Sequence, residues 1–402
     1  MVLIKDVTIA ERGEKKSILL HNGKIKKIAD FIDPKGCKKV VEASGLIALA
    51  KITDLNVRIE DDLLTIENLH KLYKSTKKAG VGKFVLSPRI SPLMENQTFL
   101  SLLTKELESS FSNIHLAIKA LKDKELTKLN NISTLLKNDI NIVQENSDIN
   151  GNLLRRIYEY SKMHKNLFFV FCENKILNDS GVMNEGEVSF RLGLPGISKI
   201  GEISEVAKVV QMSVHYEVPT LFQALSSKKS IELVYEGKKS FSKLYTEVSI
   251  HHLSLDERSC DGFNTYAKLN PPLRSPEDKE ELLEMLREGK IDTLTALHSP
   301  KSILFKDVAF AEAKYGIDTM ENYLSICYTY LVKEGHIGWK ELVKLISRKP
   351  AEIIEEKEIA AVEENRSADI ILFDPKYEFK VKQRHSPYFG KTLYGKILHI
   401  NE

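Results

Sequence analysis

Four cysteines in 402 residues, Cys37, Cys172, Cys260 and Cys327, lie too far apart to form a C-x-x-C pair. That spacing argues against a zinc ribbon or a disulfide scaffold and suits a reducing compartment. No apolar run approaches the ~20 residues that a membrane span requires, and the N-terminus lacks a basic-then-apolar signal pattern. Charge is nearly balanced, 59 Lys+Arg against 56 Asp+Glu, with no basic block of the kind that nucleic acid attracts. Short pairs such as Lys77-Lys78 and Lys228-Lys229 read as solvated helix ends. Neither G-x-G-x-x-G nor G-x-x-x-x-G-K-[ST] occurs, so a phosphate-cradling loop is unsupported. The expectation is a soluble cytoplasmic protein with neither a nucleic-acid nor a membrane partner.

Short β-type runs separated by turn residues fill residues 1–49: MVLIKDVTIA, KSILLHNGKIKKIAD and KKVVEASGLIALA. The HNGK stretch is a hairpin signal, because Asn-Gly readily adopts the positive-φ turn that two twisted strands need. The far end, residues 366–402, is similar, with SADIILFDP, YEFKVKQ and LYGKILHINE. The two ends are expected to pair into one small composite β-sandwich. Between them, in 50–365, eight strand-like runs alternate with amphipathic helical runs: ITDLNVRI, GKFVLSP, NIHLAIKAL, INIVQ, LFFVFCE, TLFQALS, LYTEVSI and IDTLTALH. Eight βα units favour an α/β fold of the (β/α)8 TIM-barrel type over an open doubly wound sheet. In such a barrel the chemistry lies at the C-terminal ends of the strands.

The first of these runs, ITDLNVRIEDD (52–62), is unusual. Asp54, Asn56, Arg58 and Glu60 alternate with Leu55, Val57 and Ile59, so a period of two places four polar side chains on one face.

Longer phrases are more specific. GVMNEGEVSFRLGLPGIS (181–198), EVSIHHL (247–253), AKLNPPLRSPEDKEEL (267–282) and SADIILFDP (367–375) resemble dihydroorotases of the amidohydrolase superfamily, across essentially the whole chain. The resemblance implies a metal-dependent barrel in which one or two zinc ions activate water against a cyclic amide. It also implies an H-x-H pair on the first strand, histidines on the fifth and sixth, an Asp on the eighth, and often a bridging acidic group on the fourth.

This sequence departs from that set at each position. D-L-H-V-H-L-R reads Asp54-Leu55-Asn56-Val57-Arg58-Ile59-Glu60, which replaces both histidines and puts Glu60 where a substrate-binding Arg is implied. Phe171, Ala224 and Leu297 stand at the ligand positions of strands five, six and eight, and Val143-Gln144 align with the fourth-strand acids. Arg89 stands where the second strand would carry Asn. Zinc needs three or four N, S or carboxylate donors, so neither zinc nor another cofactor is expected, and no catalytic residue is assigned. Arg58 is expected to replace the missing ion's charge, paired with Asp54, Glu60 or Glu173.

Other candidates are weighed against plainer roles. His251 and His252, read as adjacent strand residues, would point to opposite faces and so cannot share an ion. Cys172 beside Glu173 reads as a buried inert thiol. Asn270, Arg274 and His298 are candidates for relic substrate contacts, although a scaffold ion pair suits Arg274 better. The intact 181–196 loop suggests shape and contacts, with Glu185 and Arg191 expected to matter for assembly. The resemblance therefore implies a non-catalytic dihydroorotase-like protein of pyrimidine biosynthesis, a homo-oligomer and an assembly partner of aspartate carbamoyltransferase. The alternative is a metal-independent hydrolase, or a binder of a small anionic cyclic amide, using Arg58, Arg89 or Arg274.

Overall fold

The hairpin signal at Asn22-Gly23 forms a tight turn. Both residues have positive φ, 49° and 69°, and Glu14–His21 pairs antiparallel with Lys24–Ala29 across them. The computed structural model describes residues 1–91, 97–111, 113–122, 127–136, 140–356 and 361–398. In it the hairpin belongs to a seven-stranded sheet that draws on both ends of the chain. Ile47–Ala50 pairs antiparallel with Ile370–Lys380, which pairs in turn with Thr392–Leu398. The last four residues of the 366–402 segment lie outside the described residues. Val2–Ile9 changes neighbours along its length, from Lys39–Glu42 to Ile47–Ala50, with Asp6 at φ 59° between the two pairings. Ile4, Val7, Ile9, Ile18, Leu20 and Ile25 bury one face of this sheet with Ile370 and Leu372.

The barrel strands are Ile52–Val57, Val81–Leu86, a third in two pieces (Ile114–Leu116 and Ile118–Lys119), Ile142–Asn146, Leu167–Phe171, Thr220–Gln223, Leu244–Ser249 and Thr293–Thr295. All eight fall on the runs that the sequence marks. Parallel ladders join the first three in order, and the third through to the eighth. A carboxylate closes the seam between the eighth and first strands. Asp54 accepts from Thr295 Oγ1 at 2.7 Å and from the Ala296 amide at 2.9 Å. The Arg58 amide adds one backbone bond to the His298 carbonyl at 2.8 Å.

Helices at Ile66–Lys78, Gln97–Ser110, Gly151–His164, Lys199–Tyr216 and Pro276–Arg287 answer the amphipathic runs. Thr65 caps the first by accepting from the Asn68 amide, and Ser275 caps the last with Pro276 in its first turn. No helix among the described residues is long and apolar enough to cross a membrane.

Strand periodicity connects this scaffold to the site. Leu55, Val85, Ile142, Phe169 and Leu221 from five of the first six strands, with Ala117 between the two pieces of the third, form a buried cluster completed by Ile353 and Ile354. Two residues further along the same faces come Ser87, Gln144, Phe171 and Gln223. The barrel core thus changes from apolar to mostly polar at its C-terminal mouth.

Candidate ligand site at the barrel mouth

Asn56, Arg58, Phe171, Asn270 and Leu297 line one cavity of about 120 Å³, together with Arg89, Gln144, Gln223 and Ser299. Asn56 is buried and donates from Nδ2 to Glu247 Oε1 at 2.9 Å. Arg58 is only partly buried. Its nearest carboxylate is Asp62, 3.9 Å away, not Asp54, Glu60 or Glu173. The reason is local. The strand ends at Val57 and the chain enters a short turn, Glu60–Asp62, that brings Asp62 back beneath the guanidinium. The period-of-two reading therefore stops before Glu60, which faces Lys71 at 3.1 Å outside the cavity. Arg89 lies over the Phe171 ring, 5.4 Å from its centroid, and burial followed by the Arg58 charge lowers its pKa to about 10.

Three other singled-out positions stand apart from the cavity lining. Ala224 is fully buried behind it. Arg274 is a buried strut for the 181–196 segment, donating to Ser226 Oγ (2.9 Å), Asn184 Oδ1 (3.1 Å) and the Ile197 carbonyl (2.9 Å). With all of these bonds made, it is held away from the cavity. His298 is buried on a separate groove beside Glu60 and Asp318, and burial lowers its pKa. Asn270 does reach the cavity, and donates to Glu173 Oε2 at 3.1 Å.

His251 and His252 sit on a short helix, Ile250–Ser254, not on a strand, because Ser249 ends the strand by capping the His251 amide. His251 bonds Tyr388 Oη and the Ala296 carbonyl, while His252 faces the Pro271 and Pro272 carbonyls. Burial drives their pKa values down to about 3 and 4, so both are neutral scaffold groups. Cys172 is buried, and its thiol pKa is pushed well up by that burial.

Glu247 escaped the sequence reading. It is fully buried under Asn56 and accepts from the Ala224 amide at 3.2 Å. Burial raises its pKa to about 8. A carboxylate inside the run LYTEVSI was the available signal. Ala224 and Leu297, both in the left-handed region at φ 50° and 45°, turn the chain out of the sixth and eighth strands. Glu247 fixes the first of these turns and Thr295 Oγ1 the second.

The donor set does not fit zinc. The side chains of Phe171, Ala224 and Leu297 offer no lone pair, Asn56 turns its Nδ2 to Glu247 and offers only a neutral amide oxygen, and Arg58 brings a cation where a metal would stand. Among the described residues, no group of three or more His, Cys, Asp or Glu side chains is placed to hold an ion.

Fold and mouth together define an amidohydrolase-type barrel with an appended β-domain. The L-hydantoinase (dihydropyrimidinase) of Arthrobacter aurescens superimposes with a TM-score of 0.85 at 17% identity, covering 98% of this chain and 93% of that one. Dihydropyrimidinase of Brevibacillus agri gives 0.81 at 16%, covering 98% and 92%. In sequence, the dihydroorotase of Acetivibrio thermocellus is 30% identical over 414 residues, 98% of this chain and 91% of that protein. That of Ruminiclostridium cellulolyticum is 29% identical over 394 residues, 94% and 90%. No protein-family profile matches. The chain belongs to the dihydroorotase family.

Proposed function

We propose that this chain is a non-catalytic member of the dihydroorotase family in pyrimidine biosynthesis, serving as an assembly partner for aspartate carbamoyltransferase catalytic chains. One observation carries the reading: the mouth of the barrel is built from Asn56, Arg58, Phe171 and Leu297, a set that cannot bind the ion a dihydroorotase of this fold uses. Relocated hydrolytic chemistry is less well supported. Glu173 is bonded to Asn146 and Asn270, and Glu145 accepts from the Leu121 and Asn146 amides, so neither stands ready as a general base.

An interaction role is supported by large apolar side chains on the surface. Ile176, Phe190, Phe263 and Leu304 are large apolar side chains left in solvent, Phe190 at 91% exposure. The helix that carries Phe190, Glu187–Leu192, is tied to the turn Glu257–Phe263 by an Arg191–Asp261 ion pair. Phe190 and Phe263, on two segments joined in this way, suit burial by a partner.

The test is to express the chain with and without the same organism's aspartate carbamoyltransferase. Zinc content, dihydroorotate hydrolysis and carbamoyltransferase activity are then scored. Co-purification, raised carbamoyltransferase activity and less than ~0.1 equivalents of zinc are expected. Stoichiometric zinc with turnover would overturn the reading.

A further inference from the structure

The cavity at the barrel mouth contains more polar atoms than the protein satisfies. Arg89 Nη2, Gln144 Oε1, Gln223 Nε2 and Ser299 Oγ are all buried, and none has a hydrogen-bond partner among the described residues. All four residues line the same cavity. Gln144, Gln223 and Ser299 are 3%, 2% and 7% exposed, so bulk solvent does not solvate them. Turning either amide over exchanges its O and N but still leaves one atom unbonded. Native interiors rarely leave such groups alone, because a buried polar atom without a partner has given up its hydration for nothing.

Charge points the same way. Arg58 and Arg89 both face this cavity, and neither has a carboxylate within hydrogen-bonding distance among the described residues. The acids that could have neutralised them are committed: Glu173 to two asparagines, Glu145 to two backbone amides. Two guanidinium groups beside unpaired amides, walled on one side by Phe171, favour a planar oxyanion, which arginine grips through paired N–H donors. Size narrows the choice. About 120 Å³ is well below the ~300 Å³ of sites for larger ligands.

We propose that the vestigial metal site is an anion site, in which Arg58 and Arg89 hold a small carboxylate-class oxyanion of acetate or bicarbonate size, oriented by Gln223 Nε2 and Ser299, and by Gln144 with its amide turned so that Oε1 accepts from Ser87 Oγ and Nε2 faces the anion. The proposal does not depend on the carbamoyltransferase partner. It rests on the metal-free reading of the mouth, which zinc content tests separately, and it can fail while that reading stands.

The experiment compares thermal unfolding of the isolated full chain in sodium acetate and in sodium chloride at equal ionic strength. A selective rise of about 1–3 °C is expected at 50 mM acetate, since a ligand that binds only the folded state raises Tm. Arg58→Gln combined with Arg89→Met should abolish the acetate-selective part. The methionine preserves apolar cover on Phe171, and Arg89→Lys should retain a fraction of the effect. Surface variant Arg155→Gln should behave as wild type. If the double variant does not fold, line broadening of 13C-acetate by the wild-type chain, competed by bicarbonate but not by chloride, gives the answer. Equal effects of acetate and chloride on the wild type, or an acetate effect that survives the double variant, overturn the proposal.

Discussion

Asp54 and Glu247 are buried carboxylates a few ångströms below the cavity, and their hydrogen bonds differ in a way that a single isosteric change exposes. Both of Asp54's oxygens accept hydrogen bonds, from the Asn56 amide and Thr295 on one side and the Ala296 amide on the other. Glu247 uses only Oε1, and its Oε2 has no partner among the described residues. Asp54→Asn must therefore turn an NH2 toward an N–H or O–H donor, and should cost about 1–3 kcal/mol. Glu247→Gln can keep both bonds while losing the charge. Its pKa is raised in the folded protein, from an ordinary 4.5 to about 8. The unfolded chain ionises first, so this group makes stability fall as pH rises from about 4.5 to about 8 and then level off. Glu247→Gln should remove that slope, which the shift from 4.5 to about 8 sets at roughly 4 kcal/mol by pH 8. Urea titrations of both variants at pH 6 and pH 8 test the contrast. A steeper loss with pH in Glu247→Gln would contradict it.

Among the elements, the last strand shows how the terminal sheet is fastened to the barrel. Phe373 projects from Ile370–Lys380 into a cluster with Tyr328 and the single tryptophan, Trp339, at centroid distances of 5.2–5.5 Å. Gly395, in the neighbouring Thr392–Leu398 strand, has φ 90°, and a Cβ there would fall 1.8 Å from Phe373 Cζ. Gly395→Ala should therefore push the ring out of its cluster and destabilise the protein by about 2–4 kcal/mol. Thermal unfolding, with Trp339 fluorescence as the reporter of the displaced ring, checks it. The barrel elements were readable in advance because periodicity and turn chemistry are local. The hairpin at Asn22-Gly23 and the capped helices needed nothing beyond neighbours in sequence. The helical setting of His251 and His252 was not readable, because a one-turn helix directly after a strand carries too few residues to display a period.

For the whole molecule, the exposed apolar groups set the outlook. Phe190→Ser with Leu304→Ser alters two side chains that are 91% and 79% exposed, so stability should change by no more than about 0.5 kcal/mol. On the partnership proposed above, association with carbamoyltransferase chains should weaken by at least about tenfold, as expected when interface anchors are truncated. Arg191→Ala should act in the same direction by freeing the helix that carries Phe190 from Asp261, and charge reversal at the exposed Glu185 by altering the same rim. Analytical ultracentrifugation with purified partner chains measures all three, and unchanged association would remove the case for this surface.

The eight-strand alternation, the β-rich ends and the side-chain types at Asn56, Arg58, Phe171, Ala224 and Leu297 were legible in the sequence. Each of these is a matter of residue type at a position, and chemistry follows from type: a phenyl ring or a methyl group binds no metal wherever it points. Tertiary structure alone decided the partnerships. Arg58 meets Asp62 because a turn returns the chain beneath it. Arg274 supports a loop about 80 residues upstream, and Glu247 is buried under a residue 191 positions away. Pairings of this kind depend on how the barrel closes, and the shared cavity of unsatisfied polar groups exists only once strands distant in sequence are brought side by side.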